Sequence, residues 1–174
     1  MKKTILIFAA IVMMAGVTSR VMAQAVTDTK SNDAHATVLS AISLAVNQIL
    51  EFGAFVPHAT NPGTVTMGVT DNRGFTVVTL VTGTITPKSA QYTTSGTKLA
   101  AYTITIPTAS FNITNTSGTG AETMAITGMS CTGGLTHQID AAGTDVFKVG
   151  GNLTVAAAQA PGLYSGPFDV TVAY

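Results

Sequence analysis

Tryptophan is missing from the 174 residues, cysteine occurs once, and only 9% of the side chains are charged. Each shortage removes a class of function. The single cysteine, Cys131, cannot close an intrachain disulfide, so the fold must hold by burial, and it reads as a small buried hydrophobe. Eight basic against eight acidic groups leave no basic footprint to displace counterions from phosphates, which argues against nucleic acid as a partner. Without tryptophan, a glycan-binding face lacks its best stacking residue.

Groups that could do chemistry are few and scattered. His35, His58 and His137 show no H-x-H or H-E-x-x-H spacing, so no zinc motif is read. Glu51 and Glu122 are the only glutamates, a thin supply for glycoside chemistry. Gly128-Met129-Ser130-Cys131-Thr132 begins like a nucleophile elbow and lacks the closing glycine. Ser117 to Ala121 is glycine-containing but is followed by no lysine, so it reads as a loop and not a phosphate cradle. Cys131, His137 and Asp140 form the densest local string of ligand or catalytic types, and it reads as a thiol beside solvated turn residues. Three N-x-[ST] tripeptides, at Asn112, Asn115 and Asn152, follow from the abundance of threonine. The sequence therefore implies no enzyme, no metal and no cofactor.

What is present is an export signal and a long series of short strands. Lys2 and Lys3, the apolar run Ile5 to Val17, and Val21-Met22-Ala23 read as a signal peptide over residues 1–23, delivered to the Sec export machinery. The run is too short to span a bilayer, so no stable membrane insertion is expected. Cleavage removes Lys2, Lys3 and Arg20, leaving five basic and eight acidic groups on 151 residues, a net charge of −3. Residues 24–33 are polar and aperiodic, a flexible N-terminal arm, followed by a single domain over 34–174.

Threonine, with 30 copies, and glycine, with 17, favour strands and turns over helices. Ala34, Ala36, Val38, Ser40, Ile42, Leu44 and Val46 hold the even positions while His35, Thr37, Ser43 and Asn47 fall among the odd ones, which predicts a strand over Ala34 to Val46 in preference to a helix with Val38, Ile42, Ala45 and Ile49 on one face. Further strands are expected at Leu50 to Val56, Thr64 to Val69, Ala90 to Thr94, Tyr102 to Ile106, Ser110 to Thr114, Met124 to Cys131, Asp145 to Val149 and Asn152 to Ala157. Phe75 to Val81 reads as a strand buried on both faces. The clearest alternation is Tyr164, Gly166, Phe168, Val170, Val172 and Tyr174. Strands at this spacing, broken by Gly and Pro, predict an all-β sandwich with Greek-key connections.

Leu50-Glu51-Phe52-Gly53-Ala54-Phe55, Gly63-Thr64-Val65-Thr66, Tyr102-Thr103-Ile104-Thr105-Ile106-Pro107, Val149 to Val155 and Gly162 to Val172 occur in an order that resembles the bacterial family called domain of unknown function 4402. The segment Tyr164 to Tyr174 also resembles the last strand of fimbrial subunits. These likenesses imply an exported, immunoglobulin-like or pilin-like sandwich without enzymatic activity. They place it in the periplasm, on the cell surface in a fimbrium, or outside the cell, with a periplasmic chaperone and like subunits as partners. Fimbrial subunits usually carry a disulfide, which this chain cannot form.

Uncharged alternating strands at a sheet edge invite another chain to pair. Val38, Ile42 and Leu44 on one segment and Phe168, Val170 and Val172 on the other are accordingly the candidate strand-addition residues. Ala34 to Val46 pairs within its own domain or is donated to a neighbour, because the same period-2 pattern serves both. The expected function is that of a structural or adhesive surface subunit, or alternatively a non-polymerising secreted module with a ligand such as a glycan.

Overall fold

A computed structural model describes residues 27–83, 85–117 and 122–174. The signal peptide expected over 1–23, the first residues of the arm and most of the Ser117 to Ala121 loop lie outside them. The chain divides into two units, Met1–Thr37 and Val38–Tyr174. In the first, residues 27–37 are exposed and without regular secondary structure, and Lys30 and Asp28 form an ion pair at 3.4 Å. The second is all-β. Its registered strand pairs are all antiparallel, and no helix occurs among the described residues.

The twelve-residue strand β11 (Thr144–Val155) organises the large sheet. Val149 pairs with Ala90 of β6 (Ala90–Ser95) on one side and with Cys131 of β9 (Thr123–Cys131) on the other. Four residues on, Leu153 pairs with Val65 of β3 (Gly63–Met67) and with Ile126 of β9. A strand has only two edges, so β6 and β3 lie end to end along the same edge of β11, opposite β9. Their junction falls at Gly150-Gly151, where the register against β9 shifts. A Cβ at Gly150 would collide with the main-chain oxygen of Met67, so the close approach of β3 needs glycine there.

Asp71, in the turn between β3 and β4 (Arg73–Thr76), clasps this junction. Its Oδ1 accepts hydrogen bonds from Ser89 N (2.9 Å) and Ser89 Oγ (2.6 Å), and its Oδ2 faces Lys148 Nζ. Hydrogen bonding to Lys148, then to Ser89, holds the carboxyl well below the usual carboxylate range.

The large sheet runs β1 (Ser43–Gln48), β6, β11, β9, β8 (Phe111–Asn115) and β12 (Tyr164–Ser165), with β3 and then β4 attached beside β11. A second sheet has the order β10 (Thr136–Gln138), β7 (Ala101–Thr105), β13 (Thr171–Ala173), and β2 (Phe55–Val56) pairs with β5 (Thr79–Leu80). The C-terminal segment belongs to both larger sheets, since Tyr164 pairs with Asn115 of β8 and Val172 with Ile104 of β7. Pro167, which cannot donate to a ladder, stands between these pairings.

Two buried clusters result. Tyr92, Phe147 and Val149 of the large sheet pack with Tyr102, Ile104, Ile106 and Ile139 of the small-sheet side, and Tyr92 stacks on Phe147 at 5.3 Å. Val65, Met67, Ile113, Met124, Ile126, Leu153 and Val155 form the other, with Phe52 and Val78 over them.

Several expectations need correction. The strand expected over Ala34 to Val46 begins only at Ser43, because Ser43 pairs with Ser95, the last residue of β6, and no partner backbone continues beyond it. Ala34 to Ala41 are exposed. Phe75 to Val81 is not one buried strand: Val77 takes a left-handed φ of 61° that separates β4 from β5, and Phe75 and Val77 are exposed. The two strands expected after Asp145 are one, and β10 was not anticipated.

Candidate functional site

Along β1 the inward positions are Leu44 and Val46, opposite Thr94 and Tyr92. Leu44 is half-buried against the Tyr92–Phe147 cluster, while Val46 is 65% exposed. Side chains on one face of one strand differ this much only where the covering layer stops. It stops at an apolar trough of about 900 Å³. One wall is the segment Val46 to Pro57 and the other is Gln159 to Phe168, while Ile113, Met124, Ile126 and Leu153 of the large sheet line its floor. Ile49, 70% exposed, and Leu163, 61% exposed, stand on opposite rims. The floor residues are buried, so the apolar side chains that face water here are those of the rims, Val46, Ile49, Val56 and Leu163.

The walls are held from behind. Arg73 Nη1 donates to the main-chain oxygens of Phe52 (3.0 Å) and Ala54 (3.3 Å), fixing the backbone around Gly53, and Glu51 bridges to Lys88. Glu51 Oε1 accepts from Gly53 N at 3.0 Å, so the charge among the lining residues is engaged by backbone. On the other wall, Gln159 Nε2 donates to Tyr164 Oη (2.8 Å), which donates to Ala160 O (2.9 Å). Each wall includes a stretch of strand edge: among the described residues β1, which enters the first wall at Val46, pairs only with β6, and β12 only with β8, while Phe55 and Val56 further along the first wall pair with β5.

The six candidate strand-addition residues fall in three places. Val38 is 93% exposed ahead of β1. Ile42, Leu44, Val170 and Val172 are half-buried against the Tyr92–Phe147 cluster, with Val172 in the β13–β7 ladder. Phe168 lies between, packed on that cluster, stacked on Phe111 at 5.7 Å and lining the trough. The other trough-lining residues escaped the sequence reading although Ile113, Met124, Ile126 and Leu153 lie in expected strands, because alternation gives a strand's faces and not the layer that covers them; the apolar loop residues Ile49 and Leu163 were the available signal.

The Cys131, His137, Asp140 string does not converge. His137 Nδ1 lies 2.7 Å from Asp145 Oδ2 and its Nε2 lies 2.8 Å from Thr132 O, so both ring nitrogens are taken. Tyr102 Oη donates to the same Asp145 oxygen, and burial pushes its ionisation above the ordinary tyrosine value. Burial, then the nearby Asp145 charge, pushes the Cys131 thiol up to about 11, which keeps it overwhelmingly protonated at neutral pH. Asp140 instead accepts from the backbone N–H groups of Ala142, Gly143 and Thr144 and closes the turn into β11. Those bonds hold its carboxyl below the usual range, the Thr144 N–H contributing most. Among the described residues no three ligand-type side chains gather into a metal site, and no helix is long and apolar enough to cross a membrane.

The fold and trough define an all-β protein of antiparallel sheets with an apolar trough. The chain belongs to the family described as domain of unknown function (DUF4402), whose sequence profile matches residues 42–174. No curated protein matches the chain, and no solved structure does.

Proposed function

We propose that this protein is an exported structural or adhesive subunit, or a fimbrial accessory, that assembles by β-strand addition into the trough. The observation that carries this reading is an apolar trough with a strand edge in each wall, each edge paired with a single neighbour among the described residues. Such a seam offers a guest strand both main-chain hydrogen bonds and a floor for alternate side chains. Two antiparallel sheets joined by a C-terminal strand that serves both fit an immunoglobulin-like or pilin-like sandwich with one slot left open.

The occupant is the N-terminal arm of a second copy. Ala34 to Ile42 alternates, carries no Asp, Glu, Lys or Arg, and matches a trough whose lining carboxylate is already engaged. Of this stretch Ala34 to Leu39 is exposed and joins no strand, since β6 ends opposite Ser43, while Ser40 and Ile42 stay on their own domain. Export by the Sec route, a periplasmic chaperone and a place at the cell surface belong to the same proposal.

Removing residues 24–39 tests it while sparing β1 and the Ser40 contact to Thr97. The shortened protein stays a folded monomer, no longer assembles, and is stabilised by a synthetic Ala34–Ile42 peptide. A shortened protein that ignores the peptide and still assembles refutes the reading.

A second reading, a non-polymerising glycan-binding module, is favoured by the outer face of the large sheet. There Thr76, Thr64 and Thr154 form one cross-strand row and Thr66, Asn152 and Thr127 the next, a neutral hydroxyl and amide surface. Depletion of the protein by insoluble neutral polysaccharide, lost on Thr154→Lys, supports that alternative.

A further inference from the structure

The seam that opens as the trough is shut at its other end, and three side chains shut it. Ser43 pairs with Ser95 and Ala173 with Thr103, so the first residue of β1 and the end of β13 both come to the turn that joins β6 to β7. Thr97 in that turn binds both. Its Oγ1 accepts from Ser40 N at 2.7 Å and lies 2.9 Å from Ser40 Oγ, and its N–H donates to Tyr174 Oη at 2.7 Å. That bond holds the Tyr174 hydroxyl below the ordinary tyrosine value.

The turn is shaped for this contact. A Cβ at Gly96 would strike Tyr174 Oη and would come within 2.8 Å of Ile139 Cδ1, so only glycine lets the terminal ring lie there. Between the turn and the trough, β1 and β13 approach one another, and Ile42, Leu44, Val170 and Val172 share one buried cluster. From Val46 and Phe168 onward the lining faces the trough. One seam between two edge strands is thus closed over one stretch and open over the next.

We infer that the Ser40–Thr97–Tyr174 contact is a latch that keeps β1 and β13 together and so sets where an added strand must stop. This rests on the strand-addition reading of the trough. A guest strand advancing along the seam pairs as far as Val46 and Phe168 and then meets edges already closed on each other. Period-2 side chains fit a floor equally well two residues further on, so a physical stop fixes the register that alternation leaves open. Tyr174 and Ser40 are therefore positioning residues for the trough, acting through the two edges.

Hydrogen exchange on the full chain without peptide tests the closure, and binding of two synthetic peptides, Ala34–Ile42 and Ala34–Val46, tests the stop. In Tyr174→Phe, which keeps the ring and loses the acceptor, exchange at Ile42 to Val46 and Val170 to Ala173 rises about tenfold. The longer peptide, no tighter than the shorter on the unaltered protein, then gains on the order of tenfold over it. Thr97→Val, which removes the acceptor of the Ser40 N–H and the partner of Ser40 Oγ, gives the same pattern and serves if Tyr174→Phe does not fold. Unchanged exchange overturns the latch. An equal gain from the longer peptide before and after substitution overturns the stop while leaving strand addition standing. If neither peptide binds the unaltered protein, strand addition itself fails, and the stop fails with it.

Discussion

The two halves of β11 have similar edges and very different covers. Over Phe147 and Val149 the inner face is roofed by the β10-β7-β13 sheet, whose Tyr102 and Ile104 are buried against it. Over Leu153 and Val155 the roof is only Phe52, Val78 and partly buried pieces of loop, and beside them lies the trough. The strand itself is as apolar in one half as in the other. What differs is the kind of cover: Leu153 and Val155 are as buried as Phe147 and Val149, but under loop and short strand instead of a sheet, and the apolar side chains left in water are those of the covering segments.

Breaking the junction between the halves has the largest effect. Gly150→Val drives a side chain into the Met67 carbonyl, a main-chain atom that cannot yield without parting β3 from β11, and no cooperative unfolding transition remains by circular dichroism. Truncations then compare the halves directly. Phe147→Ala in the roofed half costs about 4 kcal/mol in urea denaturation, because a fully enclosed ring leaves a cavity. Phe168→Ala beside the trough costs about 1–2 kcal/mol, since the ring is already partly in water. Equal costs would show that the trough is filled in the free protein.

The clasp at the junction gives the comparison a pH dependence. Asp71 has its ionisation depressed on folding, so its contribution is complete above the unfolded-state value of about 3.9 and fades as the pH falls below it. Asp71→Asn is therefore less stable than the parent at neutral pH, and the gap narrows in acid; a gap that widens below pH 4 contradicts the assignment. Cys131→Ala costs about 1 kcal/mol, and with a thiol pushed up to about 11 the native protein reacts slowly with disulfide reagents at pH 8. Smallest for stability is Ile49→Lys on the trough rim, within about 0.5 kcal/mol of the parent, yet it abolishes binding of the Ala34–Ile42 peptide.

Local pattern alone determined the all-β class, most strand positions and the inward set of the last segment, where Phe168, Val170 and Val172 alternate with exposed neighbours. Alternation is a property of one strand and is legible wherever a face is buried. It also over-reached, extending β1 back to Ala34, because a sequence states which side chains would turn inward and not whether a neighbouring backbone is there to pair. Tertiary structure decided the rest. It placed β3 and β6 on one edge of β11, a consequence of glycine at position 150 meeting a distant strand. It drew His137 to Asp145 instead of Asp140. It left Val46, Ile49 and Leu163 exposed around a trough, for a trough is made by the layer that stops short, and no single strand carries that information.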